Sequence, residues 1–103
     1  MTTDRIGAEP LDDTPDFEIP AHVLYREVDG EMVLLNLETE HYFGLDAIGA
    51  DIVTRLTEQP AKAALDALVA DYAVELEVLR HDVDDLVATL VDAGLLERVE
   101  GFG

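Results

Sequence analysis

The sequence predicts an α+β domain in which a three-stranded antiparallel sheet is followed by three helices. Two observations predict this order. Between residues 23 and 43, β-branched and aromatic residues form short runs separated by turn residues, as in a meander of strands. From residue 46 onward, apolar residues instead recur every three or four positions, as on the buried face of a helix. A chain of 103 residues suits one domain with one modest core.

The predicted strands cover residues 23–28, 32–37 and 41–43. Asp29 and Gly30 lie between the first two strands and favour a tight hairpin, because both tolerate the left-handed backbone that such a turn requires. The second turn, at residues 38–40, lacks glycine and is a weaker signal. We expect Gly44 to close the third strand.

Three helices are predicted after the strands. Asp46 is placed to cap the first helix, and Pro60 opens the second, since proline is tolerated at a first helical position. The third helix is predicted over residues 76–93 and ends at Gly94. The positions expected to face the core are Ile48, Ile52, Val53, Leu56, Ala64, Leu65, Leu68, Val69, Tyr72, Leu79, Val83, Leu86, Val87 and Leu90. This βββααα order places helices on one face of the sheet and resembles a winged-helix arrangement with the strands leading.

The two ends of the chain differ from its middle. Residues 1–20 contain three of the four prolines and six acidic residues, without sustained periodicity. We therefore predict a flexible acidic tail over 1–20, a folded domain over 21–98 and a short C-terminal tail over 99–103. Within the first tail, Phe17 and Ile19 are apolar and could pack on the domain.

The charge balance restricts the partners. Six Lys and Arg residues oppose 24 Asp and Glu residues, which gives a formal net charge of −18. Such a surface repels phosphate backbones and anionic membranes, so neither nucleic acid nor membrane is an expected partner. A neutral or basic peptide or protein would be attracted, although the charge could also serve solubility alone. The chain has no cysteine and no long apolar segment, and we expect a cytoplasmic protein.

The sequence contains no catalytic constellation. Serine and cysteine are absent, and no glycine-rich phosphate loop occurs. We therefore predict no enzyme activity, no cofactor and no metal site. His81 and Asp85 lie one helical turn apart and could form half of a metal site, but a solvated helix face is the simpler interpretation. His41 is interpreted as an exposed or hydrogen-bonding residue.

The third strand offers a different kind of site. One of its edges can remain unpaired, and an extended peptide can hydrogen-bond to such an edge. If the third helix lies alongside, the two form a groove, whose floor would consist of Tyr42, Phe43, Leu79, Val83 and Leu86. Phe43, Val83 and Leu86 fit core positions as well. Tyr42 alternates with Phe43 and points to the opposite face of the strand, so it is the better candidate for a ligand contact.

Residues 34–39, 41–46 and 48–49 read LLNLET, HYFGLD and IG, and they resemble the PqqD family, named for pyrroloquinoline quinone (PQQ) biosynthesis. Asp82-Val83, followed by Leu86, Leu90 and Gly94-Leu95-Leu96, extends the resemblance over about residues 20–98. Members of this family recognise the leader segments of ribosomally synthesised, post-translationally modified peptides (RiPPs). The resemblance implies a winged-helix-like βββααα domain whose third strand accepts the leader as an added strand, against the third helix. Carried over residue by residue, the implied contacts are Glu40, His41, Tyr42 and Phe43 on the strand and Leu79, Asp82, Val83 and Leu86 on the helix.

The expected function is therefore the capture of a precursor's leader peptide and its presentation to a modifying enzyme, such as a protease, a cyclase or a radical SAM enzyme. Family members serve PQQ synthesis, lasso peptides and other peptide classes, and the acidic helix favours a leader with basic residues. One alternative is a winged-helix DNA-binding regulator, which the third helix disfavours because Arg80 is its one cation among several acids. Another is a purely structural subunit of an enzyme complex. A monomer and a dimer are both compatible with exposed strand edges.

Overall fold

The computed structural model describes residues 14–99 and has the predicted βββααα order at its centre. The elements are β1 (Phe17–Glu18), β2 (Val23–Val28), β3 (Glu31–Asn36), β4 (Tyr42–Leu45), α1 (Ala47–Glu58), α2 (Ala61–Tyr72), α3 (Leu76–Asp92) and β5 (Glu97–Arg98). The predicted fold class is confirmed, and two short strands, β1 and β5, add to it. No helix of residues 14–99 has the length and apolar composition needed to cross a bilayer.

The main sheet has the order β2-β3-β4, with antiparallel pairing throughout. The hairpin between β2 and β3 forms as predicted, because Asp29 and Gly30 both adopt left-handed backbone, with φ of 55° and 83°. The third predicted strand is shifted toward the C-terminus. It begins at Tyr42 and continues to Leu45, so Gly44 lies inside the strand and does not end it.

The core lies between one face of this sheet and the helices. Met32 and Leu34 of β3 point into it, and alternation directs Val33 to solvent. Helix α1 packs on the sheet, and α2 packs between α1 and α3. The largest fully buried side chains are Leu34, Val53, Leu56, Leu68, Leu90, Leu95 and Leu96.

The helix ends follow the sequence signals. The Asp46 carboxylate accepts a 2.8 Å hydrogen bond from the Gly49 N–H and caps α1. Pro60 precedes the first residue of α2, and the Asp16 carboxylate accepts a hydrogen bond from the Ala61 N–H at 2.7 Å. Helix α3 ends as predicted at Gly94, which has a left-handed φ of 72°.

The residues before β2 belong partly to the folded body. β1 pairs with β5, Phe17 is buried, and the Arg98 guanidinium lies 5.1 Å from the centre of the Phe17 ring. Ile19 packs against the core, as its apolar character suggested. Phe17 and Ile19, which lie in the segment predicted as a tail, are therefore part of the folded body, because these apolar side chains gain burial. Residues 1–13 of that segment, and residues 100–103 of the C-terminal tail, lie outside the described residues.

Candidate functional site

The outer edge of β4 is an open strand edge. Within the part of the chain that the structure describes, β4 pairs with β3 on one side and with no strand on the other. The Asn36 N–H donates to the His41 carbonyl at 2.8 Å, which fixes the alternation of the ladder. Phe43 and Leu45 therefore direct their backbone groups toward β3. Tyr42 and Gly44 direct theirs outward, where they are available to another extended chain.

The turn that leads into β4 is built around the Asn36 side chain. Its carboxamide oxygen accepts hydrogen bonds from the N–H groups of Glu38 and Thr39, at 2.9 and 3.2 Å. The Glu40 N–H donates to the Asn36 carbonyl at 2.7 Å, and Glu40 has a left-handed φ of 67°. The His41 N–H donates to the Thr39 hydroxyl at 3.2 Å. The Asn36 side chain thus stabilises a turn that lacks glycine, and Glu40 supplies its left-handed residue.

The same side chain joins this turn to the end of α3. Its amide nitrogen donates to the carbonyl groups of Ala93 and Gly94, at 3.1 and 3.3 Å. Asn36 is 3% exposed, and all of its hydrogen-bonding capacity is used. A Cβ at Gly94 would lie 2.6 Å from the Asn36 nitrogen, so this position requires glycine for space as well as for its backbone conformation. One buried amide therefore links the turn that leads into β4 to the end of α3.

A mostly apolar pocket of about 400 Å³ lies where β4 runs into α1. Its lining comes from the three helices and from the turn between α2 and α3: Ile48, Ile52, Leu68, Tyr72, Val74, Val78, Leu79 and Asp82. Ile48 stands three residues after the end of β4 and is 53% exposed, so the prediction that it faces the core is wrong. Gly49 and Ala50 in the same helical turn are buried, so the first turn of α1 does face the core, but Ile48 lies at the border of its buried side. The pocket can accept a large apolar side chain.

A hydrogen-bonded cluster holds Tyr72 in the wall of that pocket. The Tyr72 hydroxyl donates to one oxygen of Asp51 at 2.8 Å, and Nε of Arg55 donates to the other at 2.9 Å. Arg55 also reaches Asp71 at 2.5 Å. Desolvation raises the pKa of Asp51, but the hydrogen bonds from Arg55 and Tyr72 outweigh it and the pKa falls below its usual value. The bond to Asp51 raises the pKa of Tyr72.

The exposed side of α3 is strongly acidic. Five carboxylates lie on it in exposed positions: Glu77, Asp82, Asp84, Asp85 and Asp92. His81 Nε2 stands 3.8 Å from Asp85, and both side chains are largely exposed, as expected for a solvated helix face. Among residues 14–99, no three His, Asp or Glu side chains are placed to hold a metal ion together.

The predicted site residues occupy three different settings. Leu79 and Asp82 line the pocket beside β4. Tyr42 is 72% exposed at the open edge and points away from Phe43, as predicted. The remaining residues lie elsewhere: Glu40 and His41 use backbone groups within the turn, Phe43 and Leu86 are partly buried against the core, and Val83 is buried beside a different pocket. Whether each of these residues contacts a peptide remains a prediction.

The sequence analysis missed five residues of this site. Gly44 was interpreted as a strand end, and Ile48 and Tyr72 as core residues, whereas Val74 and Val78 were not singled out at all. The one available signal was the phase of α3, because Val78 lies outside the stripe of Leu79, Val83 and Leu86. An apolar residue off the buried stripe becomes a signal of a surface site where other exposed apolar residues adjoin it, as Tyr72 and Val74 do here.

Known proteins share this fold. The family model described as coenzyme PQQ synthesis protein D (PqqD) matches residues 31–96. The solved structure of TbiB1 in complex with the TbiA(beta) leader peptide is 36% identical, with a TM-score of 0.72, and the match covers 84% of this chain and 98% of that one. Lasso peptide synthetase B1, complexed with the leader peptide, is 25% identical, with a TM-score of 0.67 and coverage of 80% and 98%. No curated protein sequence matches the chain.

Proposed function

The chain belongs to the PqqD family, and from that premise we propose that it binds the leader segment of a ribosomally synthesised precursor peptide and presents it to a modifying enzyme. The leader adds as a fourth strand to β4. The observation that carries this proposal is the open edge at Tyr42 and Gly44 beside the pocket at Ile48. Backbone hydrogen bonds would fix the register of the leader, and the pocket would select one of its apolar side chains.

The proposed role is binding without catalysis. The chain has neither serine nor cysteine, and a strand-addition site needs no reactive side chain. By holding the leader, the protein raises the local concentration of the attached core peptide at the enzyme. Ribosomal precursors are made in the cytoplasm, so we place this encounter there.

The similarity to TbiB1 and to lasso peptide synthetase B1 supports a lasso-type precursor as the substrate. The TbiA(beta) leader peptide is therefore a suitable first probe, and the cognate leader of this chain is the second. Isothermal titration should give one site per chain for the cognate leader. A scrambled peptide of the same composition should not bind.

Strand addition can be tested directly with backbone-methylated leaders. In an added strand, alternate N–H groups face β4 and the others face solvent. Methylation of one alternating set should abolish binding, and methylation of the other set should leave the affinity within about twofold, since no hydrogen bond to β4 is lost. Equal effects of the two sets would rule out a strand and leave only side-chain contacts.

The acidic face of α3 supports a leader that carries basic residues. Asp82 is the acid of this face that lines the pocket, whereas Asp92 lies at the far end of the helix. We expect Asp82→Asn to weaken leader binding by about threefold at low salt, typical of an exposed ion pair. Asp92→Asn is the matched control and should have no effect. An affinity for the wild type that does not change between low and high salt would contradict a basic leader.

A further inference from the structure

The face of the sheet that points away from the helices carries an unusual apolar surface. Leu24, Leu35 and Tyr42 stand directly opposite one another and form one row across all three strands. Arg26, Val33 and Gly44 form the next row. We call this surface the outer sheet face, and its apolar members are Leu24, Val28, Val33, Leu35, Leu37 and Tyr42. All of them are exposed except Leu35, which is half-buried.

This apolar character contrasts with the exposed side of α3, which is strongly acidic. The chain places five carboxylates on the solvent side of α3 alone. The outer sheet face, by contrast, carries one acid, Glu31, and one cation, Arg26, on its strands. A face whose sole purpose was solvation could carry charges at Val33 and Leu24 at no cost to the core. Contiguous exposed apolar side chains mark an interaction surface.

Carboxylates bracket this face at both ends. Asp29 lies in the turn between β2 and β3, and Glu38 and Glu40 lie in the turn between β3 and β4. The complementary surface is an apolar patch bordered by lysine or arginine side chains. A second copy of this chain does not fit, because a net charge of −18 on each copy opposes association and facing copies would bring acidic turns together.

The outer sheet face is also continuous with the proposed leader site. A guest strand on β4 would place every second side chain on the same face, next to Tyr42 and Gly44. A protein that docks here would touch the leader and the sheet together. It would therefore bind the loaded protein more tightly than the empty one.

We infer that the outer sheet face is the docking surface for the modifying enzyme, which meets it with an apolar patch bordered by basic residues. This inference rests on the proposed leader-binding function. It assigns the modifying enzyme to the outer sheet face, a surface distinct from the pocket at Ile48. The leader and the enzyme then occupy adjoining surfaces, so both can be bound at once.

Val33→Lys tests the assignment, with Val91→Lys as the matched control. Val33 is 47% exposed on the outer sheet face, and Val91 is 45% exposed on α3. The purified modifying enzyme that acts on the cognate precursor is immobilised, and binding of the chain, loaded with leader, is measured by biolayer interferometry. We expect Val33→Lys to weaken enzyme binding by at least about tenfold, as for a central interface residue. Val91→Lys should change it by less than about twofold, as for a residue outside the interface.

Three results would overturn the inference. The first is wild-type enzyme binding by Val33→Lys, and the second is an equal loss of leader affinity in that variant, which would place Val33 in the leader site. The third is a wild-type dimer in sedimentation that Val33→Lys dissociates, which would assign the face to a second copy.

If circular dichroism shows that Val33→Lys is unfolded, Val33→Thr keeps the β-branched shape and carries the same test. A wild type that does not bind leader would refute the proposed function instead, and enzyme binding to the empty chain would still report on the face.

Discussion

Among residues 14–99, the two outer strands of the main sheet both have open edges, but their surroundings differ. The edge of β2 carries Arg26 and Glu27 along its six residues. The pocket between β2 and α1 is small, about 100 Å³, and the concavity of about 440 Å³ that β2 also borders is lined by strand residues alone. The edge of β4 has four residues without a charge, and it is followed by the pocket at Ile48, about 400 Å³, which draws its lining from all three helices. Charged side chains are a common protection of strand edges against unwanted pairing. The difference teaches that an open edge gives only a capacity to pair, whereas the neighbouring helices determine which edge can select a ligand.

Asn36→Ala should have the largest effect on this comparison. The substitution removes four hydrogen bonds from a buried amide, and it releases β4 from α3 while leaving β2 paired with β3. We expect the free energy of unfolding to fall by about 3 kcal/mol, as for loss of a buried hydrogen-bond network. Urea denaturation measures this loss.

Hydrogen exchange locates the damage. The amide of Phe43 should lose more protection than the amide of Leu24, since the Asn36 side chain holds the turn that leads into β4. Glu38→Ala, an exposed substitution in the same turn, is the control. A loss of less than about 1 kcal/mol in Asn36→Ala would show that water replaces the amide without penalty.

Gly44→Pro and Tyr25→Pro compare the two edges directly. By alternation, each residue presents its N–H to the open side of its own strand, where proline is tolerated by the fold. Gly44→Pro removes a donor that the leader would use and adds a ring in its path. We expect leader binding to weaken by about 2 kcal/mol, or about 30-fold. Tyr25→Pro should leave the affinity unchanged in the same titration, and the reverse result would move the leader to β2.

Tyr42→Ala and Leu24→Ala extend the comparison to side chains. Both residues belong to the same apolar row, at opposite edges of the sheet. We expect Tyr42→Ala to weaken leader binding by about 1 to 2 kcal/mol, as for a moderate interface contact. Leu24→Ala should leave leader binding intact. An unchanged affinity in Tyr42→Ala would remove this residue from the leader site, although the backbone of β4 could still pair.

Much of this architecture was predictable from the sequence. Asp29-Gly30, the Asp46 cap and the Gly94 stop act locally, so each one fixed its element correctly. The resemblance to the PqqD family is confirmed by the match over residues 31–96. Two features required coordinates. The link from Asn36 to Ala93 spans 57 positions and leaves no local signal. The exposure of Ile48 beside the buried Gly49 and Ala50 depends on how α1 is rotated against the core, which apolar spacing does not encode.

The hydrogen-bonded cluster around Asp51 is expected to give the smallest effect. It holds Tyr72 in one wall of the pocket at Ile48, and the described contacts of the β2 edge contain no such cluster. The folded-state pKa of Asp51 is lowered from its usual value of 3.8. Its contribution to stability is therefore present above that value and is lost as the pH falls through the folded pKa.

Asp51→Asn keeps an acceptor for Tyr72 but removes the charge, so it should lower the free energy of unfolding at neutral pH by less than about 1 kcal/mol. Urea denaturation between pH 7 and pH 2 should show a smaller acid-induced loss in Asp51→Asn than in the wild type. Asp66→Asn, in an exposed position on α2, should follow the wild-type curve. Identical curves for the wild type and Asp51→Asn would mean that the cluster does not hold Tyr72, and the pocket beside β4 would then owe its shape to apolar packing alone.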